Sequence, residues 1–146
     1  MPSIPNTFVN ATVADAPKVN ANFTALANAI NPSFVFTVIG TLTTGTSVTP
    51  ALIVPFSMTI LKAYAYVKTV NTGATLIIDI NKNDVSIWNT TQANRLTMAD
   101  GDADKYTTQS SFDTTALAEG DIITIDLDAI GTTIAGADLT VQLKCN

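Results

Sequence analysis

At Asn31-Pro32 the hydrophobic rhythm of this chain changes from that of a helix to that of a strand. Upstream, Val19, Phe23, Leu26 and Ile30 recur at spacings of four, three and four, which places them on one apolar stripe of a helix. Asp15 can cap that helix, and Pro17 suits its first turn. Asn31-Pro32 ends it, because the residue before a proline is pushed out of the α region and the proline has no N–H to continue the ladder. Asn20, Asn22 and Asn28 compete for backbone hydrogen bonds, so a helix this short needs a partner surface. Ahead of it, Pro2 and Pro5 favour an extended arm through Ala14.

Downstream of Pro32 the period is two. Val35, Thr37 and Ile39 form one face of a strand, and Phe34, Phe36 and Val38 the other. Further strands are expected over Ala51 to Phe56, Thr59 to Lys68, Thr75 to Asn81, Asp84 to Trp88, Tyr106 to Phe112, Ile122 to Asp128 and Asp138 to Lys144. The alternation is clearest where Leu139, Val141 and Leu143 oppose Asp138, Thr140, Gln142 and Lys144, and where Leu76, Ile78 and Ile80 oppose Ile77, Asp79 and Asn81. Asp79 to Trp88 reads as a hairpin, since Asn83 and Asp84 tolerate the positive φ of a tight primed turn. Gly73, Gly101, Gly120, Gly131 and Gly136 mark other reversals. The expected fold is all-β: an antiparallel, jelly-roll-like sandwich of about eight strands, preceded by an extended arm and one short helix. Residues 1–31 and 32–146 are its expected divisions.

The 146 residues fit one core with a short appendage. Hydrophobic residues make up 47% of them and charged residues only 13%, so surface that becomes buried against other copies or other proteins is expected. With a net charge of −5 and its seven cations dispersed, the chain has no basic run to neutralise neighbouring phosphates, which argues against direct nucleic-acid binding. There is no apolar run long enough for membrane insertion and no secretory signal at the start, so synthesis in a cytoplasm is expected. Cys145 is the only cysteine, which excludes an internal disulfide.

The sequence has no histidine, which removes the commonest general base and the commonest transition-metal ligand. Glu119, the sole glutamate, lies in the reversal Ala118-Glu119-Gly120-Asp121 and reads as a solvated turn residue. Asp100-Gly101-Asp102-Ala103-Asp104 starts like a calcium loop, but Lys105 and Ser111 stand where the glycine and the bidentate acid belong. Asp126 and Asp128 read as the solvent face of a strand. No catalytic, cofactor-binding or metal-binding residues are therefore expected. Tyr64, Tyr66 and Trp88 are the aromatic residues that could stack on a ligand, although core or subunit-interface packing is the simpler role.

Ala14 to Leu26, with its Val19-Asn20-Ala21-Asn22-Phe23 core, resembles an opening of tailed-bacteriophage fibre and tail proteins that anchors the chain to the particle. Lys62 to Thr69, Thr72 to Trp88, Thr90 to Asp102, Leu117 to Asp128 and Ala135 to Cys145 together resemble a jelly-roll module of phage fibres and related virion proteins. The resemblance implies a non-enzymatic virion protein, made in the host bacterial cytoplasm and assembled as a homotrimer. Its partners would be other virion proteins of the capsid, the portal or neck, or the tail, reached through Val19, Phe23, Leu26 and Ile30. Longer fibres continue past such a module whereas this chain stops at Asn146, so a short head fibre, decoration protein or tail adaptor is expected. The alternative is a receptor-binding module of a tail fibre that takes a host-surface glycan.

Overall fold

The computed structural model describes residues 15–27 and 31–146, which fall into two compact units, one holding the helix and the other running from Ser33 to Cys145. The expected arm, and Ile30 of the stripe, lie outside the described residues. The helix α1 spans Ala16–Ala27. It begins directly after Asp15, whose carbonyl accepts the Val19 N–H at 3.0 Å, as the first bond of a helix should. Within α1, Phe23 and Leu26 are exposed and Val19 is half-buried.

Among the described residues ten strands form two antiparallel sheets. They are β1 (Ser33–Thr41), β2 (Leu52–Ile53), β3 (Met58–Thr69), β4 (Leu76–Lys82), β5 (Val85–Ser86), β6 (Leu96–Met98), β7 (Tyr106–Gln109), β8 (Ala116–Leu117), β9 (Ile122–Ala129) and β10 (Ala137–Cys145). One sheet has the order β1-β10-β3-β7, with β8 pairing the start of β3; the other has β2-β9-β4-β5, with β6 also on β4. First strand therefore pairs last, second pairs second-last, and the pairing nests inward to the β4–β5 hairpin. That is one long antiparallel ribbon rolled up, with β10–β3 and β9–β4 as the seams that close the roll. This strand order is that of a jelly-roll sandwich.

The seams are long and in register. Leu139, Val141 and Leu143 of β10 face Val67, Ala65 and Ala63 of β3, and all six are buried. Ile78 and Ile80 of β4 face Leu127 and Ile125 of β9, also buried. The inward-pointing rows interdigitate between the sheets. Each leucine, isoleucine or valine among them is worth roughly 1.5–3 kcal/mol on burial. The outer row of β4 departs from the expectation of a solvated face. Asp79 and Asn81 are buried because β4 is flanked on both edges, with Thr124 on β9 and Ser86 on β5 lying beside Asn81.

Local turn chemistry sets the ribbon's tip. Asn83 and Asp84 adopt φ of 50° and 65°, the primed turn expected of the hairpin. The Asn83 side chain then donates to Asp121 at 2.8 Å and accepts from the Ile122 N–H at 2.8 Å, tying the tip to the start of β9. Gly131 is needed for a different reason. Its φ is not positive, but a Cβ there would lie 2.7 Å from the Thr72 carbonyl oxygen and 2.8 Å from the Thr72 nitrogen. Close backbone approach, not handedness, excludes a side chain.

The observed strands are shorter than expected at several points. The Ala51 to Phe56 segment contributes only β2, and Asp84 to Trp88 only β5, after which the chain turns Ile87 and Trp88 into the core. Two strands, β6 and β8, had no sequence expectation. They hold three and two residues, too few to show a period.

Candidate functional site

The outer face of the β1-β10-β3-β7 sheet is built from two cross-strand rows. One runs Val35, Gln142, Tyr64, Thr108; the next runs Thr37, Thr140, Tyr66, Tyr106. The pleat sends these side chains away from the core, because their neighbours Phe36, Val141, Ala63, Ala65 and Val67 are the buried ones. Charge is confined to the ends of the face. Lys144 and Lys62 pair at one end, and Lys68 lies 3.8 Å from Asp138 at the other. Between them the surface is uncharged, and Tyr66 and Tyr106 sit opposite each other with 47% and 57% of their area exposed. Ile39, near the Asp138 end of β1, is 89% exposed. Lys62 places its Nζ 5.1 Å from the Tyr64 ring centroid, a cation–π contact that holds the ring at the edge of the patch.

A surface with aromatic residues at its centre, few charges, and lysines at its margin has the composition of a protein interface. Of the aromatic residues singled out in the sequence, Tyr64 and Tyr66 lie on this face. Trp88 does not. It is buried, its ring 5.4 Å from that of Phe112, and its indole N–H is satisfied internally, which makes it core and removes it from any stacking platform. Tyr106 is the residue that sequence reasoning missed. It adjoins Tyr66 only through the β3–β7 register, for which one strand's sequence carries no signal.

The acidic residues weighed in the sequence serve turns and pairs. Asp100 accepts the Gly73 N–H at 2.8 Å and so ties two reversals 27 residues apart, while Asp102 accepts the Asp104 N–H at 3.0 Å and closes its own turn. Asp128 pairs with Arg95, and Asp126 accepts the Ser47 N–H at 2.7 Å. Asp113 accepts the N–H groups of Thr90 and Thr91 and the Thr91 hydroxyl, and these bonds hold its pKa below the ordinary carboxylate value. Burial pushes the Cys145 thiol up to about 11. Among the described residues no cluster of three or more His, Cys, Asp or Glu could hold a metal ion, and no helix is long and apolar enough to cross a membrane.

No protein-family model matches the chain, and no curated protein matches it with significant similarity.

Proposed function

We propose that this chain is a non-enzymatic structural component of a bacteriophage virion, a short fibre, head-decoration or tail adaptor protein. It attaches through residues 1–31 and assembles as a homotrimer through the outer face of the β1-β10-β3-β7 sheet. The observation that carries the assembly half of this reading is the uncharged, tyrosine-centred patch of Val35, Tyr64, Tyr66 and Tyr106, with Ile39 beside it. A contiguous exposed apolar patch costs solubility unless another surface covers it. The attachment half is supported by the resemblance of Ala14 to Leu26 to phage anchoring segments and by the exposed Phe23 and Leu26 of α1. A helix that leaves its stripe uncovered gains order when it docks.

Two measurements test the halves separately. Sedimentation of the full chain should report a trimer at micromolar concentration, and Tyr66→Glu with Tyr106→Glu should release folded monomers, because two charges would be buried unpaired at the contact. A monomeric wild-type chain would end the assembly reading. Phe23→Asp should abolish co-purification with particles while leaving the trimer intact. Undiminished particle binding would end the attachment reading.

A further inference from the structure

We infer that the free edge of β1 binds the N-terminal segment of a second copy of this chain, which adds to the sheet as an extra strand. Among the described residues β1 ends its sheet, with β10 on one side and no strand on the other, and it stays in register with β10 from Ser33 to Val38. It lacks the usual guards of an open edge, since neither charge nor proline falls within Ser33–Thr41. Beside that edge is a groove of about 210 Å³, lined by Val35, Phe36 and Thr37 of β1 and, across the open side of the sandwich, by Thr49, Pro50 and Leu52. Pro50 has no N–H to offer, so β1 is the wall that can pair. Thr49 is 6% exposed, and its hydroxyl is buried with no hydrogen-bond partner among the described residues. Buried polar groups are nearly always satisfied. An extended backbone laid along the groove meets the ladder groups of one wall and brings its own N–H and C=O groups to the hydroxyl of the other.

Charge, pattern and length make residues 1–14 the occupant. No charged side chain falls among them, and none falls between Lys18 and Lys62, a stretch that holds all of β1 and the far wall of the groove. Neither party therefore brings a charge that docking would bury. Thr7 to Val13 alternates in the manner of a strand, with Val9, Ala11 and Val13 on one side and Phe8, Asn10 and Thr12 on the other. The small aliphatic row suits the groove, and the other row continues the outer face of the sheet. Fully extended, residues 1–14 reach roughly 46 Å, against about 30 Å for the nine residues of β1. The donor is a second copy because Val35 and Thr37, on the rim of the groove, also begin the two rows of the proposed assembly face, where a neighbour lies. The inference thus rests on the assembly reading, and it leaves attachment to α1. A segment passed from each copy to the next is a head-to-tail contact, the kind that closes into a ring.

The test uses the full chain with one new cysteine in the segment and one on β1, Asn10→Cys or Thr12→Cys combined with Val35→Cys or Thr37→Cys, which the added strand brings together on the outer face. Cys145 is buried and does not compete. After mild oxidation at least one of these double variants should run as a covalent trimer on a denaturing gel and collapse to monomer on reduction, whereas no single variant should be linked beyond a dimer. In a second measurement, Val9→Asp with Val13→Asp should speed amide hydrogen exchange at one or more of Val35, Phe36 and Thr37 by roughly tenfold or more, while Leu139 to Leu143 keep their wild-type rates. The inference is overturned by an intrachain disulfide in monomers, which would mean that the segment lies on its own chain, by no linkage in any variant of a chain that still sediments as a trimer, or by wild-type exchange rates in the aspartate variant. A wild-type chain that sediments as a monomer ends the assembly reading itself, and this inference with it.

Discussion

The indole Nε1 of Trp88 donates to the carbonyl oxygen of Ser111 at 2.6 Å, across 23 residues of chain. This bond fastens the end of the β4–β5 hairpin to the segment that follows β7. Ile87 reinforces it, its carbonyl accepting the N–H groups of Asp113 and Thr114 at 3.0 and 3.1 Å. Trp88, for which core packing was the simpler expectation, is thus core and also a latch between the halves of the rolled ribbon. Trp88→Ala should cost about 3–5 kcal/mol, the range for deleting a buried aromatic. Trp88→Phe should lose less but still leave the Ser111 carbonyl unmet, at about 1–3 kcal/mol. Urea unfolding followed by circular dichroism measures both, and an unchanged stability in Trp88→Phe would show that the hydrogen bond contributes nothing beyond packing.

Asp79 is buried, and desolvation raises its pKa above the ordinary carboxylate value of 3.8 despite the Ser86 hydroxyl and Ile80 N–H that it accepts. Asp126 faces it in register, the negative charge of Asp128 adds to the rise, and the positive charge of Arg95 opposes it. Between the unfolded and folded values the native state holds a proton that the unfolded chain releases, so stability falls as pH rises through that window. Asp79→Asn keeps the accepting oxygen and removes the charge. It should melt higher than wild type at neutral pH, with the difference vanishing below pH 3.8. A difference independent of pH would mean that the carboxylate's charge is not the cause.

Asp121 has the opposite sign. The Ala118 N–H, the Asn83 amide and Lys82 hold its carboxyl below 3.8, so its contribution is present above that pH and is lost as pH falls through the depressed value. Asp121→Asn should melt lower than wild type at neutral pH and lose less on acidification. Parallel pH–melting curves for the two proteins would contradict this assignment.

Cys145 should be nearly inert in the folded protein. Burial lifts its pKa from 9.0 to about 11, which lowers the thiolate fraction about a hundredfold at a given pH before steric protection is counted. Ellman's reagent at mildly alkaline pH should label the native chain at least that much more slowly than the urea-unfolded chain. Comparable rates would mean that the end of β10 opens readily.

Much of the fold was legible because it is local. The start of β1 directly after Pro32 follows from proline's geometry, the primed turn at Asn83-Asp84 from the φ that those two side chains tolerate, and the inward rows of β4 and β10 from a period of two that any stretch of strand displays by itself. The buried outer row of β4 was not legible, since Asp79 and Asn81 look like any solvated polar alternation until Thr124 and Ser86 are brought alongside. The same holds for the candidate surfaces. Tyr64 and Tyr66 could be placed on one strand face from spacing alone, but their joining with Val35 and Tyr106 depends on β1–β10–β3–β7 register. Whether Trp88 faced a ligand or the core depended on a carbonyl 23 residues away. By itself the sequence determined where strands and turns could form, through backbone preferences and alternation within a few residues. Only the tertiary structure decided which strands became neighbours and hence which side chains share a face, because register is set by the combined packing of rows far apart in the chain.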